Sequence, residues 1–416
     1  MKIKYIDKCR LCGNETLTTL VDLGEQKLTG VFPGAGEEVE GGRLKLVKCT
    51  GNDGCGLVQL DRSFENELMY GDNYGYRSGL NKSMVLHLRD ITKYVADMGI
   101  LKEGDAVVDI GSNDGTLLGT YKDNVELKLD KIGIDPTSKK FKKYYDSDIR
   151  LVEDFFSSNA YKLLNGDKKA RVVTSIAMFY DLEDPIDFAK QIAEILEDDG
   201  IWITEQSYFP TMIDACSYDT ICHEHVEYYS LKQLRYIAEN AGLKVIDVSL
   251  NNVNGGSFKV TSCKKDANYD VNDSVKRLME EEESRGVDSI DFTSDFIEQI
   301  QNNKEMLLEF LNAQKKAGKL VLGYGASTKG NVVLQYCGID SDILPAIAEV
   351  NPDKFGKYTP GTGISIISEE DAKKMNPDYF LVLPWHFRDN TLLREEKFRE
   401  ETGCKFVFAL PKFEII

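Results

Sequence analysis

VVDIGSNDGTLL, residues 107–118, decides the fold. An apolar run ends on Asp109, a Gly-rich turn follows, and Thr116-Leu-Leu opens a helix. The run before the turn is a buried strand, because it has no polar alternation and Val and Ile suit the pleated interior of a sheet. Working outward, AVVDIG (106–111), KIGID (131–135), IRLVEDFF (149–156), ARVVTSIAMFY (170–180) and GIWITEQSY (200–208) read as five strands. Helical stretches flank or separate them, such as LNKSMVLHLRDITKYVADMG (80–99) and DPIDFAKQIAEILEDDG (184–200). Strands alternating with helices at this spacing predict a parallel sheet covered on both faces.

Residues 270–318 read as helical, with a solvated acidic face at Glu280–Glu283. KLVLGYGASTKGNVVLQYC (319–337) restarts a strand, Gly turn and helix, and IAEVNPDKFG, GISIISEEDA and PDYFLVLPW continue the alternation. The expected division is 1–70, 71–262 and 263–416, with an α/β body in each of the last two segments.

The 416 residues carry 51 Lys and Arg against 69 Asp and Glu, a formal charge of −18. That field repels polyphosphate backbones and anionic membrane surfaces, so neither nucleic acid nor membrane is an expected partner. A small anion stays open, since a helix N-terminus and one Lys can hold it. No apolar run approaches a membrane span, and the first residues lack the apolar core of a secretory signal, so a cytoplasmic protein is expected. No clear apolar face offers a dimer contact.

Four of nine cysteines fall in the first 55 residues: Cys9, Cys12, Cys49 and Cys55. The flanking GRLKLVKC and CGLVQLD alternate like short strands, and PGAGEEVEGG (33–42) reads as a loop. A unit this thin needs a staple. Cys-x-x-Cys supplies two thiolates at the bite zinc requires, and the second, wider pair completes four ligands. A closed four-thiolate site leaves no open position, so this zinc is structural. Four unconnected thiols are the alternative; a nucleic-acid-binding ribbon conflicts with the charge.

In the first turn, Asn113 stands where a dinucleotide fold wants its second Gly. Asp109, Gly111, Asn113 and Gly115 instead form the Asp-x-Gly-x-x-x-Gly turn that class I methyltransferases use for S-adenosylmethionine. Asp135, closing the second strand, is placed to accept the ribose hydroxyls; capping the next helix is its other reading. Asp154, with Phe155 and Phe156 after the third strand, could meet the adenine amino group and face, or the rings could be core.

Beyond the fifth strand lies SYDTICHEHVEYYS (217–230), with two of the four histidines in the chain. The i, i+2 spacing is wrong for the helical HExxH zinc site. A Glu beside a His suggests a base tuned by a carboxylate, and a packed helix-start segment is the alternative. The second Gly turn offers Gly325, Lys329 and Asn331 to a pyrophosphate, or is a packing turn with a solvated Lys. His386 and Arg388, on a turn after a buried strand, are further phosphate or sugar contacts. NGGSF (254–258) brings backbone close to ligand or forms a bulge.

CRLCG…C…C, YGYRSG, DIGSNDGTLL, CHEHVEYYSL, NGGSFKV and GYGASTKGN occur in this order. The set resembles the three-part sugar C-methyltransferase family, whose members act on dTDP-4-keto-deoxysugars in antibiotic and surface-polysaccharide pathways. The resemblance covers essentially the whole chain. It implies a class I methyltransferase Rossmann-like sheet, a small N-terminal zinc knuckle and a second C-terminal Rossmann-like α/β domain that helps hold a nucleotide sugar. It also implies the chemistry: a base removes the proton beside a ketone, and the enolate attacks the methyl of S-adenosylmethionine. His225 matches the family's base, Glu224 its carboxylate neighbour, and Tyr76 a tyrosine that hydrogen-bonds the sugar. Cys222 stands where some members carry Tyr, and His223 where those members carry an acid. Either His223 takes over the donor role or the sugar sits differently. O-methylation of a sugar hydroxyl, a nicotinamide-dependent dehydrogenase and a zinc-ribbon scaffold are the competing readings.

Overall fold

The computed structural model describes residues 3–65, 69–70 and 75–416. Tyr74, at the head of YGYRSG, and Gly71, at the expected domain boundary, lie outside the described residues. The N-terminal region holds β1 (Ile3–Tyr5), β2 (Leu17–Lys27), β3 (Gly41–Cys49), β4 (Val58–Leu60) and β5 (Arg62–Phe64). β2, β3 and β4 form an antiparallel meander, and β1 pairs with β5. The region is therefore a sheet rather than a thin knuckle. Bulges at Thr19/Val21 and Asp22/Gly24 break the alternation of β2, which hides that strand from a periodicity reading. A unit this small buries too little surface alone. It solves this by sharing a core: Leu44, Leu46 and Leu60 pack in one cluster with Tyr218, Ile221 and Cys222, and with Val332–Leu334 of the C-terminal region.

Next come β6 (Ala106–Ile110), β7 (Asp130–Ile134), β8 (Ile149–Val152), β9 (Ala170–Ile176) and β10 (Leu196–Ser207). The short β11 (Glu227–Tyr228), β12 (Leu243–Asn251) and β13 (Ser257–Lys264) follow. Except for β11, these form a seven-stranded sheet in the order β12-β13-β10-β9-β6-β7-β8, with only β13 antiparallel. All five expected strands are present. The helix expected over 184–200 stops at Ile195, and Leu196–Asp199 belong to β10. The sheet also continues through β12 and β13. Strand order reverses beside β6, which opens a crevice at the carboxyl ends of β6 and β9.

β11 does not join that sheet. It pairs antiparallel with β4, Glu227 opposite Gln59 and Tyr228 opposite Val58. The segment carrying His225 is thus the fourth strand of the cysteine-bearing sheet.

Helices Asp273–Ser284 and Phe296–Lys316 lead to the C-terminal body. There β14 (Val321–Tyr324), β15 (Ala346–Glu349), β16 (Ser365–Ser368), β17 (Tyr379–Val382), β18 (Lys405–Phe408) and β19 (Glu414–Ile415) take the order β16-β15-β14-β17-β18-β19. Only β19 is antiparallel. This is the second doubly wound sheet, with its crevice between the turns after β14 and β17. Among the described residues no helix is long and apolar enough to cross a membrane.

Candidate active site

The crevice beside β6 holds a cavity of about 190 Å³. Asp109, Gly111, Asn113, Asp135, Phe155 and Tyr76 all line it. Gly111 has φ +75°, and a side chain there would meet Met178 at 2.9 Å, so glycine is required. Asn113 is left-handed at φ 51°, which Asn tolerates better than other side chains. Its amide pins the YGYRSG stretch from below. Ser78 N donates to its Oδ1 at 2.9 Å, and its Nδ2 donates to the Tyr76 carbonyl at 3.2 Å. Asp109 accepts from the Thr174 hydroxyl at 2.6 Å, and burial pushes its carboxyl up to about 7.

Asp135 holds the turn that follows it and also lines the cavity. Its Oδ1 accepts from Thr137 N and Oγ1 at 2.5 and 2.6 Å, holding the following turn. Its Oδ2 accepts the Asn113 N–H at 2.8 Å, and the residue lines the cavity. Two expected cofactor residues stand apart from the cavity. Gly115 faces the Tyr145 ring, 2.6 Å from where its Cβ would lie. Asp154 is exposed and accepts from the Phe155 N–H at 2.7 Å.

His225 does not itself line this cavity and is joined to its wall through its neighbours. It packs on Tyr180, whose neighbour Asp181 lines the wall, and it feels Lys329, which bonds to Asn254 on the same wall. The two rings are 4.1 Å apart, and the backbone is fixed because Val226 N donates to the Tyr180 carbonyl and Leu60 N to the Val226 carbonyl. Nδ1 donates to the Thr220 carbonyl at 2.9 Å. A ring nitrogen that gives its proton to a carbonyl leaves the other bare, so Nε2 is the acceptor. Burial and the nearby Lys329 cation pull this imidazole down to about 3. Glu224 is buried beside Gly30, where a Cβ would collide with its Oε1, and burial raises its carboxyl.

His223 is not brought to the cavity. Its Nε2 meets the Gly42 carbonyl at 3.2 Å, and its ring packs edge-on against Phe64 at 4.8 Å, inside the N-terminal core. On a strand His223 and His225 would share a face, but a turn intervenes, with His225 N donating to the Cys222 carbonyl at 3.2 Å, and the two rings part. The donor role expected of it has no position there.

Sequence reasoning passed over two carboxylates. Asp181 lines the cavity, accepts from the Tyr70 hydroxyl at 2.6 Å, and is held far above the usual carboxylate range by burial, with Glu224 adding to the shift. Glu205 also lines the cavity, bonded to His87 Nε2 at 2.5 Å and Asn251 Nδ2 at 2.9 Å. Tyr70 and His87 lie over a hundred residues from these partners, so no local pattern announces them. The available signal was position: Asp181 follows the carboxyl end of a sheet strand, where ligands bind.

The second Gly turn behaves differently from the first. Gly325 packs on Pro384, which lies 2.6 Å from where a Cβ on that glycine would stand, and the Asn331 amide donates to the Thr29 carbonyl at 2.7 Å. Lys329 turns toward the 71–262 segment: Nζ donates to the Asn254 carbonyl at 2.7 Å, and its charge is felt at Asp219, His225 and His386. Asp219 accepts from the Trp385 indole at 2.8 Å, which ties the C-terminal body to the same spot. The Arg388 guanidinium is paired with Glu414 and Asp389.

The sulfurs of Cys9, Cys12, Cys49 and Cys55 lie within 4.8 Å of one another. Cys9 and Cys55 are 3.6 Å apart, and Cys12 and Cys49 3.5 Å. Tetrahedral thiolates at ~2.3 Å from zinc stand about 3.8 Å apart. The four could therefore close on one such ion.

Three family models match successive parts of the chain: "Putative zinc binding domain" over 9–70, "Methyltransferase domain" over 83–248 and "C-methyltransferase C-terminal domain" over 252–411. C-methyltransferase NovU of Streptomyces niveus is 28% identical over 415 residues, spanning 100% of this chain and 98% of that protein. Among solved structures, the CcbJ methyltransferase of Streptomyces caelestis is 12% identical, with 42% of this chain and 89% of that one covered at a TM-score of 0.32. The YcgJ protein of Bacillus subtilis is 12% identical, with 44% and 100% covered, also at 0.32.

Proposed function

The chain belongs to the C-methyltransferases that join a cysteine-bearing N-terminal domain, a methyltransferase domain and a C-terminal α/β domain, and from that premise we propose its substrate and its base. The substrate is a nucleotide-activated keto sugar, methylated at the carbon beside its ketone. The observation that carries this reading is the His225 ring, with Nδ1 held by the Thr220 carbonyl and Nε2 left as an acceptor.

The cofactor S-adenosylmethionine supplies an electrophilic methyl group on a sulfonium. Asp135 Oδ2 would accept a ribose hydroxyl, and Gly111 lets the backbone approach the methionine moiety. His225 Nε2 takes the α-proton, and the Thr220 carbonyl then faces an imidazolium N–H that it already holds. A neutral imidazole held near 3 is a weak base in the empty site, but an enolate forming beside it favours the charged ring and strengthens it as the proton moves. The Lys329 ammonium, which His225 feels, favours negative charge on the enolate oxygen. Glu224, buried beside Gly30 with its carboxyl raised by burial, would hydrogen-bond the sugar. Tyr76, on the cavity wall, hydrogen-bonds the sugar. Cys9, Cys12, Cys49 and Cys55 would hold a structural zinc, and β3 pairs with β4 and β4 with β11, next to His225.

The test is transfer from S-adenosylmethionine carrying a ¹³C methyl group to dTDP-4-keto-6-deoxyglucose and related keto sugars. The expected product carries a methyl carbon bonded to carbon. A methoxy resonance would move the reading to O-methylation. Binding of S-adenosylhomocysteine with no methylated product from any nucleotide keto sugar would remove this substrate class.

A further inference from the structure

A second, smaller cleft lies where all three parts of the chain meet. Phe32 of the N-terminal domain, Arg77, Lys140, Lys354 and Lys357 line it, with Asp353 the one carboxylate on its wall. Four cations around one cleft are unusual in a chain of formal charge −18. With four cations and one carboxylate on its wall, the cleft carries a surplus of positive charge that favours an anion.

The side chains are positioned rather than loose. Arg77 lies over the Tyr144 ring at 4.0 Å, with its Nε 3.4 Å from Asp114. Lys354 is only 14% exposed and lies 4.4 Å above the Phe32 ring. Its Nζ meets one acceptor within hydrogen-bond reach among the described residues, the Ala326 carbonyl at 2.8 Å, and the Glu349 carboxylate is 3.9 Å away. Burial lowers its pKa, a cost that a bound anion would offset.

The cleft is also in line with the reaction centre. Arg77 is extended, at φ −143° and ψ 121°, so neighbours on that stretch alternate sides. Tyr76 and Ser78 line the methyl-donor cavity, while Gly75 and Arg77 line the cationic cleft. On the other wall, Gly30 touches Glu224 and Thr328, and two residues later Phe32 reaches the cleft. Two residues span at most about 7 Å. A sugar beside Glu224 and His225 would then carry a diphosphate to these lysines.

Resting on the keto-sugar reading above, we propose that this cleft, rather than the second Gly turn, binds the diphosphate of the substrate. The residues of that turn are committed elsewhere: Asn331 to Thr29, Gly325 to Pro384, and Lys329 to Asn254 beside the base. Arg388, on the turn after β17, is held by Glu414 and Asp389.

The test titrates inorganic pyrophosphate, dTDP and S-adenosylhomocysteine separately into the full chain by calorimetry. Lys140→Ala with Lys357→Ala removes two charges of the cleft; Lys276→Ala with Lys397→Ala removes two charges from exposed helix positions elsewhere. The proposal expects pyrophosphate and dTDP to bind the wild type and to weaken at least tenfold in the cleft variant. S-adenosylhomocysteine binding stays within twofold, which shows that the variant is folded, and the control pair binds like wild type. It is overturned if wild type binds neither anion, if the cleft variant binds both like wild type, or if the control pair weakens them equally. The two readings fail separately. Loss of pyrophosphate binding in the cleft variant, without methylation of any nucleotide sugar, keeps the anion site and removes the sugar. Methylation of a nucleotide sugar with unchanged KM in the cleft variant removes the site and keeps the sugar.

Discussion

Replacing His225 by Asn separates the base from the scaffold. The Asn amide nitrogen takes the place of Nδ1 and keeps a donor toward the Thr220 carbonyl, while nothing replaces Nε2. Stability at pH 7.5 should therefore change by less than about 1 kcal/mol, whereas Ala, which leaves that carbonyl unpaired, should cost about 1–3 kcal/mol. Methyl transfer should fall about 10²–10⁴-fold, the usual worth of a positioned general base. Acid adds a second readout. The folded ring stays neutral down to about 3, while the unfolded chain takes up a proton near 6.5. The unfolded state thus binds more protons between those values, and wild type loses stability as pH falls through that window. At pH 5 the loss amounts to about 2 kcal/mol from this group, at ~1.36 kcal/mol per pH unit over about 1.5 units. The Asn variant escapes it, so the difference between the two proteins should shift by about 2 kcal/mol in favour of Asn between pH 7.5 and 5. Thermal melts at the two pH values and release of S-adenosylhomocysteine measure both effects. Activity above a tenth of wild type in the Asn variant, or a stability difference that does not move with pH, would refute the reasoning.

Three further perturbations follow from the same geometry. Gly30→Ala drives a methyl group into Glu224 Oε1, so methyl transfer should drop at least tenfold while S-adenosylhomocysteine binding holds; unchanged turnover would show that Glu224 is free to move. Asp135→Ala removes the acceptor of the Asn113 and Thr137 N–H groups, and calorimetry should show about 10–100-fold weaker S-adenosylhomocysteine binding, the worth of one or two hydrogen bonds to a charged group. Cys12→Ser, or a strong chelator, should lower the melting temperature and abolish methyl transfer, because the cysteine-bearing sheet pairs with β11, which follows His225 closely. Metal analysis should find one zinc per chain, lost in that variant.

The two doubly wound sheets were readable because parallel strands are buried on both faces and appear as continuous apolar runs such as ARVVTSI. The turns after β6 and β14 were readable from Gly placed between such a run and a helix. Their different uses were not, since only packing shows that Gly325 meets Pro384 while Gly111 faces a cavity. The four cysteines announced their own cluster. Two strands around them, β3 and β4, were readable in GRLKLVKC and CGLVQLD, whereas β2 stayed hidden because it is bulged, and the fourth strand because it comes from residues 227–228. His223 and His225 look equivalent in CHEHV, yet one faces Phe64 and the other Tyr180. A turn at 222–225, closed by the His225 N–H on the Cys222 carbonyl, separates them, and nothing in the local sequence marks it. The cationic cleft gathers residues 32, 77, 140, 354 and 357, and no local pattern links positions so far apart.

Proton exchange reaches the central claim most directly. The full chain is incubated with S-adenosylhomocysteine and dTDP-4-keto-6-deoxyglucose in deuterated water, beside the His225→Asn variant. Uptake of one deuteron at the carbon next to the ketone, lost in the variant, is the predicted result. Exchange that persists in the variant would remove His225 as the base. No exchange in a wild-type protein that binds both ligands would contradict the enolate reading.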